Sequence, residues 1–221
     1  MSTATAGDTF RRTGEELARF AALLYQRGWM PGTSGNLSMR LQGADDLILI
    51  TASGRDKGEL TARDMTVVST RTDRPVAPDA LRASAETAIH TALYRTAHAG
   101  AVIHVHAPYS TAIACRTNIT THTGLLRLKQ FELLKGLGLA DPSTADVPVF
   151  PNWPDVSRIA ADIARHYADT PDAPPCLLLS DHGVTAWGED LAQARNRLEC
   201  IEAICQLLVI DGGAAPPVQK F

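Results

Sequence analysis

The segment that decides the fold prediction is Val102-Ile103-His104-Val105-His106-Ala107-Pro108. Branched apolar residues alternate in it with histidines, and a proline closes it, which is the pattern of a β-strand. Because side chains alternate along a strand, His104 and His106 share one face with Cα atoms about 6.6 Å apart, while Ile103 and Val105 face a core. Two imidazoles on one face are a ready pair of metal ligands. The alternative is that one histidine ends the strand and the other is an ordinary buried polar residue.

The composition predicts one globular domain over residues 1–221, with loose tails at 1–8 and 212–221. The chain has 221 residues, of which 45% are hydrophobic and 20% charged, enough for a substantial core. A net charge of −3 gives no reason to expect a nucleic-acid partner. We expect neither a membrane span nor a signal peptide, since no apolar run reaches about 18 residues. The four cysteines form no C-x-x-C pair, which favours reduced thiols and a cytoplasmic location.

Two loops rich in glycine and serine are candidates for phosphate binding. The first covers residues 32–38, and the second covers residues 52–58 at the end of a predicted hairpin strand. Backbone N–H groups in such loops can point at an anion, although many loops of this kind are only turns. The candidate residues are Ser34, Gly35, Asn36, Ser53 and Gly54.

Two carboxylates are candidates for a catalytic acid or base. The pattern predicts a helix from Ser84, its N-cap, to Ala97, which puts Glu86 in the first turn. Glu86 could instead serve only the helix dipole. A second predicted helix covers residues 125–137 and contains Glu132, which could equally be a solvated surface residue. We interpret His90 and His98 as structural or surface histidines.

A third histidine completes a candidate metal site. Residues 176–179 and 184–187 form apolar strands, and His182 lies with Gly183 in the sharp turn between them. Three histidines are a common set for catalytic zinc, which keeps one position open for substrate. Such a metal stabilises the charge that develops when a C–H next to a carbonyl loses its proton. Together with the two loops, this predicts metal-assisted chemistry on a phosphorylated sugar by a mixed α/β domain.

Five motifs, in order and spacing, resemble the class II aldolase/adducin-type family. They are Gly32-Thr33-Ser34-Gly35-Asn36, Thr51-Ala52-Ser53-Gly54, Ser84-Ala85-Glu86, His104-Val105-His106 and Asp181-His182-Gly183. The resemblance implies a three-layer α/β/α single domain with a central mixed sheet, in a homotetramer with sites between subunits. It also implies one Zn²⁺ per subunit on the three histidines and a phosphorylated ketose as substrate. The phosphate contacts that it implies come from Ser34, Gly35, Asn36, Ser53, Gly54 and Ser84.

Three segments further resemble the dehydratases of that family, at residues 84–87, 129–136 and 147–152. This closer likeness implies dehydration of 5-methylthioribulose 1-phosphate in methionine salvage, with Glu132 as acid/base. In the family's aldolases the residue matching Glu86 has that part. A sugar-phosphate aldolase or a pentulose-phosphate 4-epimerase is the alternative, but these commonly use a C-terminal tyrosine and this chain has none after Tyr167. A non-catalytic binding module, like the adducin head domain, is the second alternative.

Overall fold

The computed structural model describes residues 6–212 and 218–220, which form one sheet with helices on both faces. The α-helices are α1 (Ala6–Gln26), α2 (Thr87–Thr96), α3 (Pro108–Arg116), α4 (Val156–Asp169) and α5 (Leu191–Ile210), and 3₁₀ helices cover Ala62–Asp64 and Glu132–Leu137. The strands are β1 (Asn36–Arg40), β2 (Leu47–Thr51), β3 (Met65–Ser69), β4 (Arg74–Pro75), β5 (Ala101–Val105), β6 (Gly124–Lys129), β7 (Thr144–Phe150), β8 (Cys176–Leu179), β9 (Gly183–Gly188) and β10 (Val218–Lys220).

The sheet is mixed, and the strand predicted within residues 102–108 is β5, which lies in its middle and ends at Val105, before His106. The strand order is β10-β6-β7-β8-β9-β5-β1-β2-β3-β4, in which β7 and β8 pair in parallel and the other described neighbours are antiparallel. Ile103 and Val105 pack into the core formed with α1, α3 and α5, whereas Val102 packs on the opposite face with α2 and α4. This alternation confirms the predicted three-layer α/β/α architecture.

The two long helices at the ends of the described chain follow their sequence signals. α1 ends at Gln26, and Gly28 then adopts a φ of 74°, a left-handed conformation that suits glycine at a helix end. α5 begins after Asp190, whose side chain accepts a hydrogen bond from the backbone N–H of Gln193 at 2.7 Å. Both helices therefore have local signals in the sequence at the ends named here.

The helix predicted at residues 125–137 is wrong. The structure has strand β6 followed by the 3₁₀ helix Glu132–Leu137, with Gln130 at a φ of 60° between them. Leu126 and Leu128 alternate with more exposed residues, which is the strand period, and β6 pairs with β7 and β10 on its two sides. The leucines of the segment suggest a helix because the second half does follow a helical spacing, with Leu134 and Leu137 buried.

The structure also corrects the start of α2 and the predicted tails. α2 begins at Thr87 with Glu86 at the N-cap, because Ala83 pairs with Ala52 and keeps the preceding residues extended. Ser84 instead accepts a hydrogen bond from the backbone N–H of Glu86 at 3.4 Å. In the predicted tails, residues 6–8 belong to α1 and residues 218–220 to β10, which pairs with the free edge of β6. The other tail residues, 1–5, 213–217 and 221, lie outside the described part of the chain.

The four cysteines are free thiols, as predicted, and Cys176 and Cys205 are fully buried. Burial raises the pKa of the Cys176 thiol to about 12, so it behaves as a small apolar side chain. None of the helices in the described residues has the length and apolar character needed to cross a membrane.

Candidate metal centre

Three histidines meet at the end of β5. The β5–β9 pairing sets His104 opposite Thr185, and the β8–β9 turn that carries His182 therefore lies beside the last residues of β5. His106 follows β5 directly, and its backbone N–H donates to the carbonyl of Trp29 at 2.9 Å. The three ring centroids are 4.7 to 5.2 Å apart, and the ring planes are nearly perpendicular to one another. The sheet register, rather than one loop, brings these side chains together.

Glu86 joins the histidines from the start of α2. Its Oε1 lies 2.9 Å from Nε2 of His182, and its Oε2 lies 3.4 Å from Nε2 of His104. One ligand atom each from Glu86, His104, His106 and His182 falls within 4.8 Å of all the others. We call these four residues the histidine–glutamate cluster.

The cluster fits a divalent metal ion. Three imidazole nitrogens and one carboxylate oxygen are a common donor set for Zn²⁺. His104 Nε2 is buried and has no hydrogen-bond partner among the described residues, which is unusual for a buried polar atom. Its other ring nitrogen lies 2.9 Å from Oγ1 of Thr185, and Nδ1 of His182 lies 3.2 Å from Oδ1 of Asn152. Such outer bonds on Nδ1 leave each Nε2 lone pair for a metal.

The electrostatics favour the ligating forms of His104, His106 and Glu86. Burial lowers the pKa of His104 to about 3, although the neighbouring carboxylate of Glu86 opposes this, and burial also lowers the pKa of His106. Burial raises the pKa of Glu86, but its interactions with the His104 and His182 side chains and the hydrogen bond from Asn36 outweigh this and lower it. Neutral imidazoles and an ionised carboxylate are the protonation states that bind metals.

The predicted phosphate loops lie beside the cluster. Because β1 pairs with β5, Asn36 lies opposite His104, and the loop with Ser34 and Gly35 precedes it. The Ala52–Ala83 bridge places the second loop, with Ser53 and Gly54, next to Ser84. The six candidate residues therefore belong to segments that meet near Glu86.

Asn36 has a further role in the structure. Its side chain is 97% buried, and its Nδ2 donates to Oε2 of Glu86 at 2.6 Å while its Oδ1 lies 2.5 Å from Nε2 of His90. A phosphate contact by this side chain would compete with two buried hydrogen bonds. Asn36 thus supports Glu86 directly, a role that its position in a Gly/Ser loop does not reveal.

Lys57 is a residue that the sequence reasoning missed. Its side chain is almost fully buried, and its Nζ donates to the carbonyls of Thr33 and Arg55, both at 2.8 Å. Burial lowers the pKa of Lys57, while the carboxylates of Asp56 and Glu86 oppose this. Lys57 therefore ties the two loops together next to the cluster. The only signal in the sequence is a lysine inside a Gly/Ser loop.

Glu132 does not reach the cluster within one chain. β6 pairs Lys129 with Thr144 at the start of the seven-residue strand β7, whereas the cluster lies at the end of β7, about 20 Å away along the strand. The Glu132 side chain is 82% exposed and its carboxylate lies 2.7 Å from Nζ of Lys135. Among the described residues, the cluster takes its carboxylate from Glu86.

Comparisons with known proteins agree on one family. Residues 15–209 match the family described as Class II Aldolase and Adducin N-terminal domain. The chain is 36% identical over 212 residues to methylthioribulose-1-phosphate dehydratase of Sorangium cellulosum, which covers 95% of this chain and 97% of that protein. The enzyme of the same name from Microcystis aeruginosa is 40% identical, with 87% of this chain and 93% of that protein covered.

A Nocardia farcinica protein is 50% identical over 206 residues, and its name joins a methylthioribose-1-phosphate isomerase to the same dehydratase. The alignment covers 93% of this chain but only 37% of the Nocardia protein. Among solved structures, YgbL of Klebsiella pneumoniae has a TM-score of 0.75 at 29% identity, with 93% of this chain and 92% of that chain covered. L-fuculose-1-phosphate aldolase of Thermus thermophilus has a TM-score of 0.62 at 26% identity, with coverages of 92% and 93%.

Proposed function

This chain belongs to the class II aldolase and adducin family, and on that premise we propose that it is a hydro-lyase of methionine salvage. Its substrate is 5-methylthioribulose 1-phosphate and its product is 2,3-diketo-5-methylthiopentyl 1-phosphate. The observation that carries the proposal is the histidine–glutamate cluster beside two Gly/Ser loops. The named dehydratases, similar over nearly their whole length, supply the substrate.

The proposed cofactor is one Zn²⁺ per subunit, held by His104, His106 and His182, with Glu86 as the fourth group of the cluster. A zinc ion there would polarise a ligated carbonyl and favour loss of a proton from the neighbouring carbon. The buried Nε2 of His104 supports this assignment, because it makes no hydrogen bond among the described residues. The nitrogen-rich donor set favours zinc over Mg²⁺ and Ca²⁺, which prefer oxygen ligands.

We assign the substrate phosphate to Ser34, Gly35, Asn36, Ser53, Gly54 and Ser84. Asn36 would contribute mainly through the backbone of its loop, because its amide is bonded to Glu86 and His90. Lys57 supports the assignment, because its Nζ bonds to a carbonyl group of each loop and so holds the two loops together. The backbone N–H groups of the loops are left to orient an anion.

The chemistry needs a carboxylate that removes the C3 proton of the ketose. As this proton leaves, the C4–O bond breaks, a C3–C4 double bond forms and water departs; the enol then becomes the 2,3-diketone. Glu132 is the proposed acid/base, and it would act from a neighbouring subunit, since within one chain it lies far from the cluster. Its exposure suits a residue that faces another subunit. The proposed assembly is accordingly a homotetramer with sites between subunits, in the cytoplasm.

A sugar-phosphate aldolase is the second candidate function. Glu86 lies inside the cluster, which is the position from which an aldolase would use its carboxylate. The similarity to the fuculose-phosphate aldolase fold also favours it. Retro-aldol cleavage would break a C–C bond of the ketose phosphate, whereas dehydration keeps the carbon chain intact.

A single incubation separates the two functions. Zinc-loaded protein is supplied with 5-methylthioribulose 1-phosphate and, in parallel, with fuculose 1-phosphate, and the products are followed by ¹H and ³¹P NMR. The dehydratase forms the diketone from the first substrate and leaves the second intact. Cleavage of fuculose 1-phosphate without diketone formation would replace the proposal with the aldolase.

A further inference from the structure

A buried chain of hydrogen bonds leads from the histidine–glutamate cluster into the protein. Glu86 accepts from Nδ2 of Asn36 at 2.6 Å, and Oδ1 of Asn36 lies 2.5 Å from Nε2 of His90. The other ring nitrogen of His90 lies 2.7 Å from Oγ of Ser38, which lies 3.0 Å from the hydroxyl of Tyr94. Asn36, Ser38, His90 and Tyr94 are all 97% buried or more. We call these four residues the buried chain.

The donors of the buried chain all point toward Glu86. The Asn36 amide donates its N–H to the Glu86 carboxylate and turns its oxygen toward His90. His90 Nε2 must then carry a proton and donate it to that oxygen. Burial lowers the pKa of His90 to about 4, although Glu86 opposes this, so the ring is neutral and Nδ1 accepts from Ser38. Ser38 uses its one proton on His90, and Tyr94 therefore donates to Ser38.

The far end of the buried chain is also fixed. The Arg40 guanidinium lies 5.0 Å from the centroid of the Tyr94 ring, and its Nη2 donates to the Tyr94 backbone carbonyl at 3.1 Å. Burial raises the pKa of the Tyr94 hydroxyl above its usual range, so it stays a donor. Because every hydrogen bond of the buried chain donates in the same direction, each bond polarises the next. The donors cannot all be reversed while the Glu86 carboxylate accepts from Asn36.

We propose that His90, Ser38 and Tyr94 are positioning residues, which fix the Asn36 amide so that its N–H holds Glu86 against the three histidines. Apart from the backbone N–H of His90, which donates to the Glu86 carbonyl at 3.4 Å, no described hydrogen bond joins these three residues to the cluster. They act through Asn36, whose amide could otherwise rotate and turn its oxygen toward the carboxylate. This inference rests on the proposed metal site but not on the identity of the substrate.

Metal affinity and the protonation of His90 test the proposal without any substrate. Outer hydrogen-bond partners of metal ligands typically contribute about 10- to 100-fold in affinity. We expect His90→Leu, which keeps the volume but removes both ring nitrogens, to weaken Zn²⁺ binding at least about tenfold in competition with a chromophoric chelator. His90→Gln should retain most of the affinity, since its amide can donate to Asn36 and accept from Ser38.

The tautomer gives a second readout, which a merely structural role would not move. In ¹⁵N NMR of the metal-free protein at neutral pH, His90 should be neutral with its proton on Nε2. Tyr94→Phe should shift the Nδ1 resonance of His90, because it removes the donor behind Ser38. Tyr167→Phe is the matched control: its buried hydroxyl donates to the carbonyl of Cys176 at 3.0 Å, outside the buried chain, and should change neither the resonance nor the Zn²⁺ affinity.

A charged His90 at neutral pH, or a proton on Nδ1, would overturn the proposal. So would a folded His90→Leu variant that binds Zn²⁺ as tightly as the wild type. If that variant fails to fold, Ser38→Ala takes its place and is expected to give a mixture of His90 tautomers with weaker Zn²⁺ binding. Wild-type protein that binds Zn²⁺ but forms no diketone would defeat the proposed function and leave this inference standing.

Discussion

Gly35 lies directly against the backbone carbonyl of His104. A Cβ on Gly35 would come within 2.9 Å of that oxygen and within 2.5 Å of Cε of Met30. Gly35 also has a φ of 74°, the left-handed conformation that glycine adopts without strain. The first Gly/Ser loop is thus packed onto β5, the strand that carries His104, so Gly35 is needed at this position for a structural reason that is independent of phosphate.

Gly35→Ala is expected to destabilise the protein by about 2–4 kcal/mol, because left-handed strain and overpacking add together. Urea unfolding of the metal-free protein measures this. Gly43→Ala is the matched control: Gly43 has a φ of 79° but a Cβ there meets no described heavy atom within 4 Å. Gly43→Ala should lower the free energy of unfolding only by the left-handed backbone strain, about 1 kcal/mol. Equal losses in the two variants would show that the His104 contact is unimportant.

Glu202 supports the segment that follows β5, the strand that carries His104. This buried carboxylate of α5 accepts from the backbone N–H groups of Tyr109 at 2.9 Å and Ser110 at 2.8 Å, in the first turn of α3. That turn begins two residues after His106. Glu202→Leu would leave both donors unsatisfied, which should lower the free energy of unfolding by about 1–3 kcal/mol for each donor. Glu202→Gln keeps one acceptor oxygen, so its free energy of unfolding should fall less. If urea unfolding gave the leucine variant a free energy of unfolding within about 0.5 kcal/mol of the wild type, this role of Glu202 would be contradicted.

The neutral state of His90 predicts how stability depends on pH. Its pKa is about 4 in the folded protein and near 6.5 in the unfolded chain, so between these values only the unfolded chain takes up the proton. The free energy of unfolding should therefore fall as pH drops from 6.5 to 4, by at most about 1.4 kcal/mol per pH unit for this group. His104, with a pKa of about 3, acts in the same direction.

Unfolding of metal-free protein between pH 6.5 and 5 isolates the histidines, because the lowered pKa of Glu86 contributes only as pH falls through the carboxyl range. In His90→Phe, the free energy of unfolding should depend less steeply on pH, because the contribution of one histidine is lost. A slope that stays the same in this variant would mean that His90 is already charged in the folded protein.

If Glu132 acts on the cluster of a neighbouring subunit, two inactive variants should complement each other in a mixed oligomer. Glu132→Gln should lose about 10²–10⁴-fold of the turnover, the usual contribution of a general base. His106→Ala should lose the metal centre but keep a native Glu132. When the two variants are unfolded together and reassembled, mixed oligomers should contain some sites with both groups intact and regain part of the activity.

Variants that are refolded separately and assayed immediately after they are combined serve as the control, because each oligomer then starts with one kind of subunit. No recovery in the mixed assembly, with oligomers shown to have formed, would place the catalytic carboxylate in the same chain as the metal ligands. Glu86 would then become the acid/base of the reaction.

The sequence predicts best those features that a local pattern determines. The alternation around His104 and His106 indicates a strand with both rings on one face, and the structure has this strand at the centre of its sheet. The segment around Glu132 misleads because its leucines fit both the strand period and the helix period. Only the pairing of β6 with β7, between residues far apart in sequence, resolves the choice.

The supporting residues of the site could not be predicted because their partners lie far along the chain. His90 is one of several histidines in the sequence, and its bonds to Asn36 and Ser38 span more than 50 residues. Lys57 resembles an ordinary loop lysine until the fold buries it against the carbonyl of Thr33. Buried polar networks of this kind depend on sheet register and helix packing, which a linear pattern does not encode.

Diketone formation by metal-free protein titrated with Zn²⁺ tests most directly whether the histidine–glutamate cluster dehydrates 5-methylthioribulose 1-phosphate. We expect activity to rise to saturation at one Zn²⁺ per subunit. His106→Ala, folded and titrated in the same way, should form no diketone above background. Diketone formation by His106→Ala at the wild-type rate, or wild-type protein that saturates with Zn²⁺ and leaves the substrate unchanged, would contradict this function.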